Sequence, residues 1–114
     1  MSLATLAEVG IKALRLQEAI DKKRTARRAL DAAYTAYKQR RHGGGGGIRY
    51  DRDSDEYSLM LLATDREHSA LCTAKYDLGL AQRSLERACK RAHKELKAGA
   101  SAEAAVRRIM EKAV

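Results

Sequence analysis

The residues with the most chemical promise are cations. Lys22-Lys23-Arg24-Thr25-Ala26-Arg27-Arg28 packs its bases into two turns of chain, and Lys38, Arg40 and Arg41 follow. Residues 1–42 hold ten bases against four acids. Such a surface attracts phosphates, with an attraction that weakens as salt rises. It also suits an acidic protein surface. Bases on consecutive positions wind around a helix and do not make one groove-facing stripe. No base-reading motif accompanies them, and no exposed aromatic platform is evident. Two readings therefore stand: a protein-binding face, and sequence-nonspecific RNA or DNA binding by the basic first helix. The candidate partner-binding residues are Arg24, Arg28 and Lys38 on that helix, with Arg49, Tyr50 and Arg52 in the loop after it. Tyr50 is the candidate contact tyrosine, because it sits between two arginines.

Other constellations carry less. Asp51-x-Asp53-x-Asp55 resembles the start of a calcium loop, but Glu56 stands where glycine is needed and Leu62 where a bidentate acid is needed. Acids at a helix start, facing its unsatisfied N–H groups, account for the cluster. Cys89 and His93 are four apart, half a metal site at most. No serine–histidine–acid or cysteine–histidine arrangement emerges. The five glycines Gly43–Gly47 lack the Lys-Ser/Thr of a phosphate loop and read as a flexible connector, whether native, variable or engineered. The expectation is a non-enzymatic chain with no catalytic residue, no metal and no cofactor.

The elements that must position these residues are helices. The 114 residues contain no proline, phenylalanine or tryptophan, and 21 are alanine. Long helices tolerate that profile, whereas loop-rich and all-β folds do not. Residues 3–42 keep a heptad register with two seam rows. One row is Leu6, Ala13, Ile20, Arg27 and Tyr34; the other is Val9, Leu16, Lys23, Leu30 and Tyr37. Ala19, Ala26 and Ala33 flank them. A linker at 43–53 leads to a second helix at 54–98. Its central row is Tyr57, Thr64, Leu71, Leu78, Leu85 and Ala92. Ala74, Ala81 and Ala88 line one side of that row, and Leu61, His68, Lys75, Gln82, Cys89 and Leu96 the other.

Gly99 is a natural helix stop. A short third helix at 101–113 then carries an apolar face of Ala102, Ala105, Val106, Ile109, Met110 and Ala113, expected to cover Leu3, Leu6 and Ile11. The expected fold is all-α: one domain over 1–114, a long antiparallel, coiled-coil-like helical hairpin with a short C-terminal helix. Two helices bury little by themselves, so dimerisation into a helical bundle is expected. Lys23 and Arg27 fall on the seam, where an Arg27–Glu67 pair would fix register. Glu8/Lys12, Glu18/Lys22 and Glu86/Lys90 are candidate pairs one turn apart.

The net charge of +8 divides unevenly. Residues 1–42 carry most of the excess, while 43–56 are net acidic. No apolar run is long enough to span a bilayer. The N-terminus lacks a secretory pattern, and two unpaired cysteines point to a reducing, cytoplasmic setting. Peripheral membrane binding is disfavoured because the apolar stripe is needed for the core. The length and two-helix plan resemble the small secreted helical-hairpin proteins of type VII systems. The Trp-x-Gly turn of that family has no counterpart here, so none of its properties carries over. What remains is an interaction module: adaptor, assembly factor or small inhibitor, of the kind phages and mobile elements encode.

Overall fold

Alanine, leucine and long-chain charged residues dominate the sequence, and nothing in it forces the backbone out of a helix. The computed structural model describes residues 1–42, 50 and 54–113. Among these are three helices and no strand: α1 (Leu3–His42), α2 (Asp55–Ala63) and α3 (Asp65–Ala113). Apart from Tyr50, the expected linker at 43–53 lies outside the described residues. No helix among those described is long and apolar enough to cross a membrane.

Caps set two of the helix starts. Ser2 opens α1: its Oγ accepts from the Thr5 N–H at 3.1 Å. Ser54 is extended (φ −86°, ψ 148°) and accepts from the Tyr57 N–H at 3.2 Å, with Asp55 and Glu56 in the first turn of α2. Each cap satisfies a backbone donor that the helix leaves open.

Two expected boundaries are corrected. The helix foreseen at 54–98 is interrupted at Thr64 (φ −109°, ψ 19°), which separates α2 from α3. Thr64 is buried, and its hydroxyl donates to the Met60 carbonyl at 2.8 Å, the same oxygen that its own N–H reaches at 3.0 Å. A threonine side chain that competes for the carbonyl one turn back disturbs a helix in this way. At the other end, no stop occurs at Gly99. α3 runs through Gly99 and Ser101 to Ala113, so there is no separate third helix. Gly99 costs about 1 kcal/mol in a helix interior, and the alanines around it keep the helix going.

The described chain divides into two compact units. Unit 1 joins residues 1–18 with 79–114; unit 2 is residues 19–78. In each, α1 runs antiparallel to the later helices. In unit 1, Ser2 and Thr5 bond Glu95 while Glu8 pairs with Arg91. In unit 2, Tyr34 meets His68 while Arg41 pairs with Glu56.

The buried rows show which stripes face inward. On α2 and α3, Thr64, Leu71 and Ala92 are buried, and Tyr57, Leu78 and Leu85 half-buried, as the central row requires. Ala74 and Ala88 are buried beside them, with Met60. On α1 the row Val9, Leu16, Lys23, Leu30 and Tyr37 turns inward, and its companion is the alanine row Ala19, Ala26 and Ala33. The row Leu6, Ala13 and Arg27 is exposed, with Ile20 and Tyr34 half-buried. Lys75, Gln82, Cys89 and Leu96 are likewise exposed, while Leu61 and His68 are half-buried. Short alanine side chains take the inside because they let helix backbones approach, which pushes larger neighbours to the flanks.

Candidate interaction surface

The basic face belongs to unit 2. At 3.6 residues per turn, Arg24, Arg28 and Lys38 fall within about 80° of one another around α1, and Arg24 and Lys38 lie ~21 Å apart along it. All three are exposed. Arg24 sits 3.7 Å from Asp21, and Arg27 sits 3.9 Å from Asp31. Both pairs are local and solvent-facing, and such pairs contribute little. Arg27 therefore does not reach Glu67, contrary to the expected register pair. It lies outside the seam and finds a carboxylate one turn away instead. No ion pair among the described residues involves Arg28 or Arg40. Lys23, which does face inward, is half-buried. Its aliphatic stem can lie along the seam with its ammonium in water.

Beyond Lys38 the surface gains tyrosines. The Lys38 Nζ lies 4.9 Å from the centre of the Tyr50 ring, a cation–π contact. Burial, then the Glu56 carboxylate and Tyr37, push the Tyr50 phenol above its ordinary pKa, while Arg41 pulls it down. Arg41 pairs with Glu56 at 3.7 Å. Next to these groups is a hollow of about 300 Å³ lined by Tyr37, Arg40, Arg41 and Ala63. Arg41 at its edge is already paired with Glu56, and Arg40 beside it is exposed. Of the sequence-derived candidates, Lys38 and Tyr50 are thus brought together, and Arg24 and Arg28 continue the same face. Arg49 and Arg52 lie outside the described residues. Tyr37, Arg40 and Arg41 were missed as a group. Their 37/40/41 spacing on one helix was the available signal.

Tyr34 donates toward, or accepts from, His68 Nε2, and the two rings meet edge to face at 5.5 Å. Burial is the main cause that raises the Tyr34 pKa; Tyr57 and Asp31 add to it and Arg27 opposes it. This cross-helix pair braces unit 2. Glu67 has an oxygen that is buried without a hydrogen-bond partner.

Unit 1 is different in character. Thr5 Oγ1 donates to Glu95 Oε1 at 2.8 Å and the Ser2 N–H donates to Oε2 at 3.2 Å. The Thr5 bond first, then the Ser2 bond, hold the Glu95 carboxyl below its usual pKa. Glu8 pairs with Arg91 across the helices, not with Lys12 along its own. Neither Glu18/Lys22 nor Glu86/Lys90 forms an ion pair. A hollow of about 220 Å³ is lined by Met1, Leu6, Val9, Cys89, Ala92, His93 and Leu96. Cys89 and His93 share it, and no metal-holding group of three ligands forms among the described residues. The expected cover over Leu3, Leu6 and Ile11 is absent: Leu3 is 81% exposed and Leu14 69%. Val106, Ile109 and Met110 are more than half exposed, because α3 continues as one helix through Gly99 where a return was expected.

Compared with known proteins, the chain matches no protein family, no curated sequence and no solved structure.

Proposed function

We propose that this chain is a non-enzymatic protein-interaction module that acts as a homodimer. It serves as an adaptor, assembly factor or small stoichiometric inhibitor, as phages and mobile elements encode. Its contact surface is the basic face of Arg24, Arg28 and Lys38 with the tip residues Arg49, Tyr50 and Arg52. The observation that carries this reading is the mixed tyrosine–arginine surface of unit 2. Lys38 stacked on Tyr50 lies beside a hollow edged by Arg40 and Arg41. Tyrosine and arginine are the residues that most often anchor protein interfaces. A partner with exposed carboxylates complements this surface.

The test is capture from native lysate, with and without nuclease. Charge reversal by Arg24→Glu and Arg28→Glu is expected to abolish recovery of a protein partner, with helix content by circular dichroism unchanged. Recovery of nothing above background would sink the reading. The cations also favour a second reading, sequence-nonspecific RNA or DNA binding. Under it, recovery is lost on nuclease treatment and affinity falls steeply between low and physiological salt.

A further inference from the structure

The outward side of α1 is apolar from Leu3 to Leu14. Leu3, Ala7, Gly10 and Leu14 recur at four-three-four spacing, the rhythm of a helix seam. Ala4, Leu6, Ile11 and Ala13 border them, and all eight are exposed. The inner seam of α1 is a different row, already occupied by α3, so this helix carries two seams of which only one is filled. Of the charged residues of 1–18, Glu8, Lys12 and Arg15 fall on other positions of the wheel and Glu8 is engaged by Arg91, while Glu18 follows Leu14 on this side and closes the apolar stretch. A Cβ built on Gly10 meets nothing within 4 Å. Glycine in a helix interior is unfavourable, and here the chain's own packing does not require it.

We propose that this face is a homodimer interface in which α1 packs antiparallel against α1 of a second copy, about a two-fold axis passing between residues 8 and 9. This rests on the homodimer reading above and names its surface. Three features select a second copy as the occupant. The row is self-complementary when reversed: Leu3 meets Leu14 of the second copy, and Ala7 meets Gly10 of the second copy. Small residues thus face each other at the centre, where backbones come closest, with leucines closing both ends. The bordering residues also pair apolar with apolar, Ala4 with Ile11 and Leu6 with Ala13.

Charge selects the direction. Residues 1–18 carry two bases and two acids, whereas 19–42 carry eight bases and two acids. Antiparallel packing on the neutral segment sends the two basic segments to opposite ends, where parallel packing would set them side by side. Area is sufficient as well. Eight such residues present on the order of 600 Å² per copy, and two faces together reach the ~1,200 Å² at which specific interfaces begin.

The full chain is tested by sedimentation equilibrium. The expected mass is twice 12.6 kDa, with Leu14→Asp and Gly10→Leu each raising the dimer dissociation constant by at least about 30-fold. Both sites are exposed, and Gly10→Leu favours the helix, so circular dichroism should report no loss of folding. Ile109→Asp, on the exposed face of α3, should leave the dimer intact. In a Cys72→Ser/Cys89→Ser background, mixed Leu3→Cys and Leu14→Cys chains should cross-link to each other, and neither variant to itself.

A dimer that survives Leu14→Asp, or that Ile109→Asp breaks, overturns the proposed face while leaving the homodimer reading in place. A monomer at every concentration overturns both. A monomer that binds neutral phosphatidylcholine vesicles through Leu14 assigns the face to a bilayer instead, and equally overturns the proposal.

Discussion

The first 18 residues of α1 and the 24 that follow share one helix and one inner seam, yet their outer sides are opposites. The first segment is charge-neutral outside the seam and shows leucines to solvent; the second shows arginines and lysines. The tertiary links differ in the same way. Unit 1 ties its helices by carboxylate contacts at Glu95 and Glu8, whereas unit 2 adds the Tyr34–His68 pair and the Lys38–Tyr50 stack. A uniform inner seam with two kinds of exterior means that folding and recognition are specified by different positions of the same helix. Inner positions decide whether the helices pair. Outer positions decide what they meet.

That division is broken most severely from inside. Leu30 is 3% exposed, and Leu30→Ala is expected to cost about 2–4 kcal/mol, enough to threaten a domain this small. Leu14→Ala, on the outer side, should change the stability of the dilute monomer by less than about 0.5 kcal/mol. Urea unfolding of both variants checks this, and equal losses would erase the distinction between the two rows.

A smaller effect is expected at Glu67, where a carboxylate oxygen is buried without a hydrogen-bond partner. Glu67→Leu removes that cost and should stabilise the chain by about 1 kcal/mol, seen as a higher urea midpoint at unchanged slope. A destabilised variant would show that the carboxylate is needed where it stands.

The smallest effects are those of pH, and they separate the two units. Glu95 has a lowered pKa, so its contribution is complete above the ordinary glutamate range and is lost as pH falls through the lowered value. Protection of the Thr5 and Leu6 amides, taken relative to their intrinsic exchange at each pH, should therefore fall in acid. Tyr34 has a raised pKa, so its contribution is complete below the ordinary tyrosine value of 10.0 and is lost as pH climbs through the raised one. The contacts around residues 30–37 should loosen only in strong alkali, seen as a fall in the urea midpoint confined to pH above the ordinary tyrosine value. A reversal of these responses would contradict the hydrogen bonding described for Glu95 and the burial of Tyr34.

How much of this was legible in the sequence follows from the same physics. The extent of α1 and the central row of the later helices were readable, because a heptad repeat without proline leaves few alternatives. The companion row on α1 was misread. Leu6, Ala13 and Arg27 obey the same seven-residue period as Ala19, Ala26 and Ala33, and periodicity alone does not say which of two adjacent rows a partner helix covers. The run through Gly99 was hidden for a related reason. A lone glycine ends a helix only if the backbone turns there, which its neighbours decide. Of the candidate surface, the basic residues were visible as composition. The Lys38–Tyr50 contact and the Glu95 contacts join residues apart in sequence, and no local pattern announces them, whereas the Tyr37, Arg40 and Arg41 side of the hollow is written in their spacing on one helix.

The interruption at Thr64 has a mechanical consequence. It leaves α2 as a nine-residue helix with its own cap, joined to a 49-residue helix by a single non-helical residue. Helices that short persist through tertiary contacts more than through their own hydrogen bonds. Unravelling that begins at Ser54 therefore meets a firebreak at Thr64. The chain can loosen around Arg41 and Glu56, and reshape the ground a partner would land on, without unzipping α3.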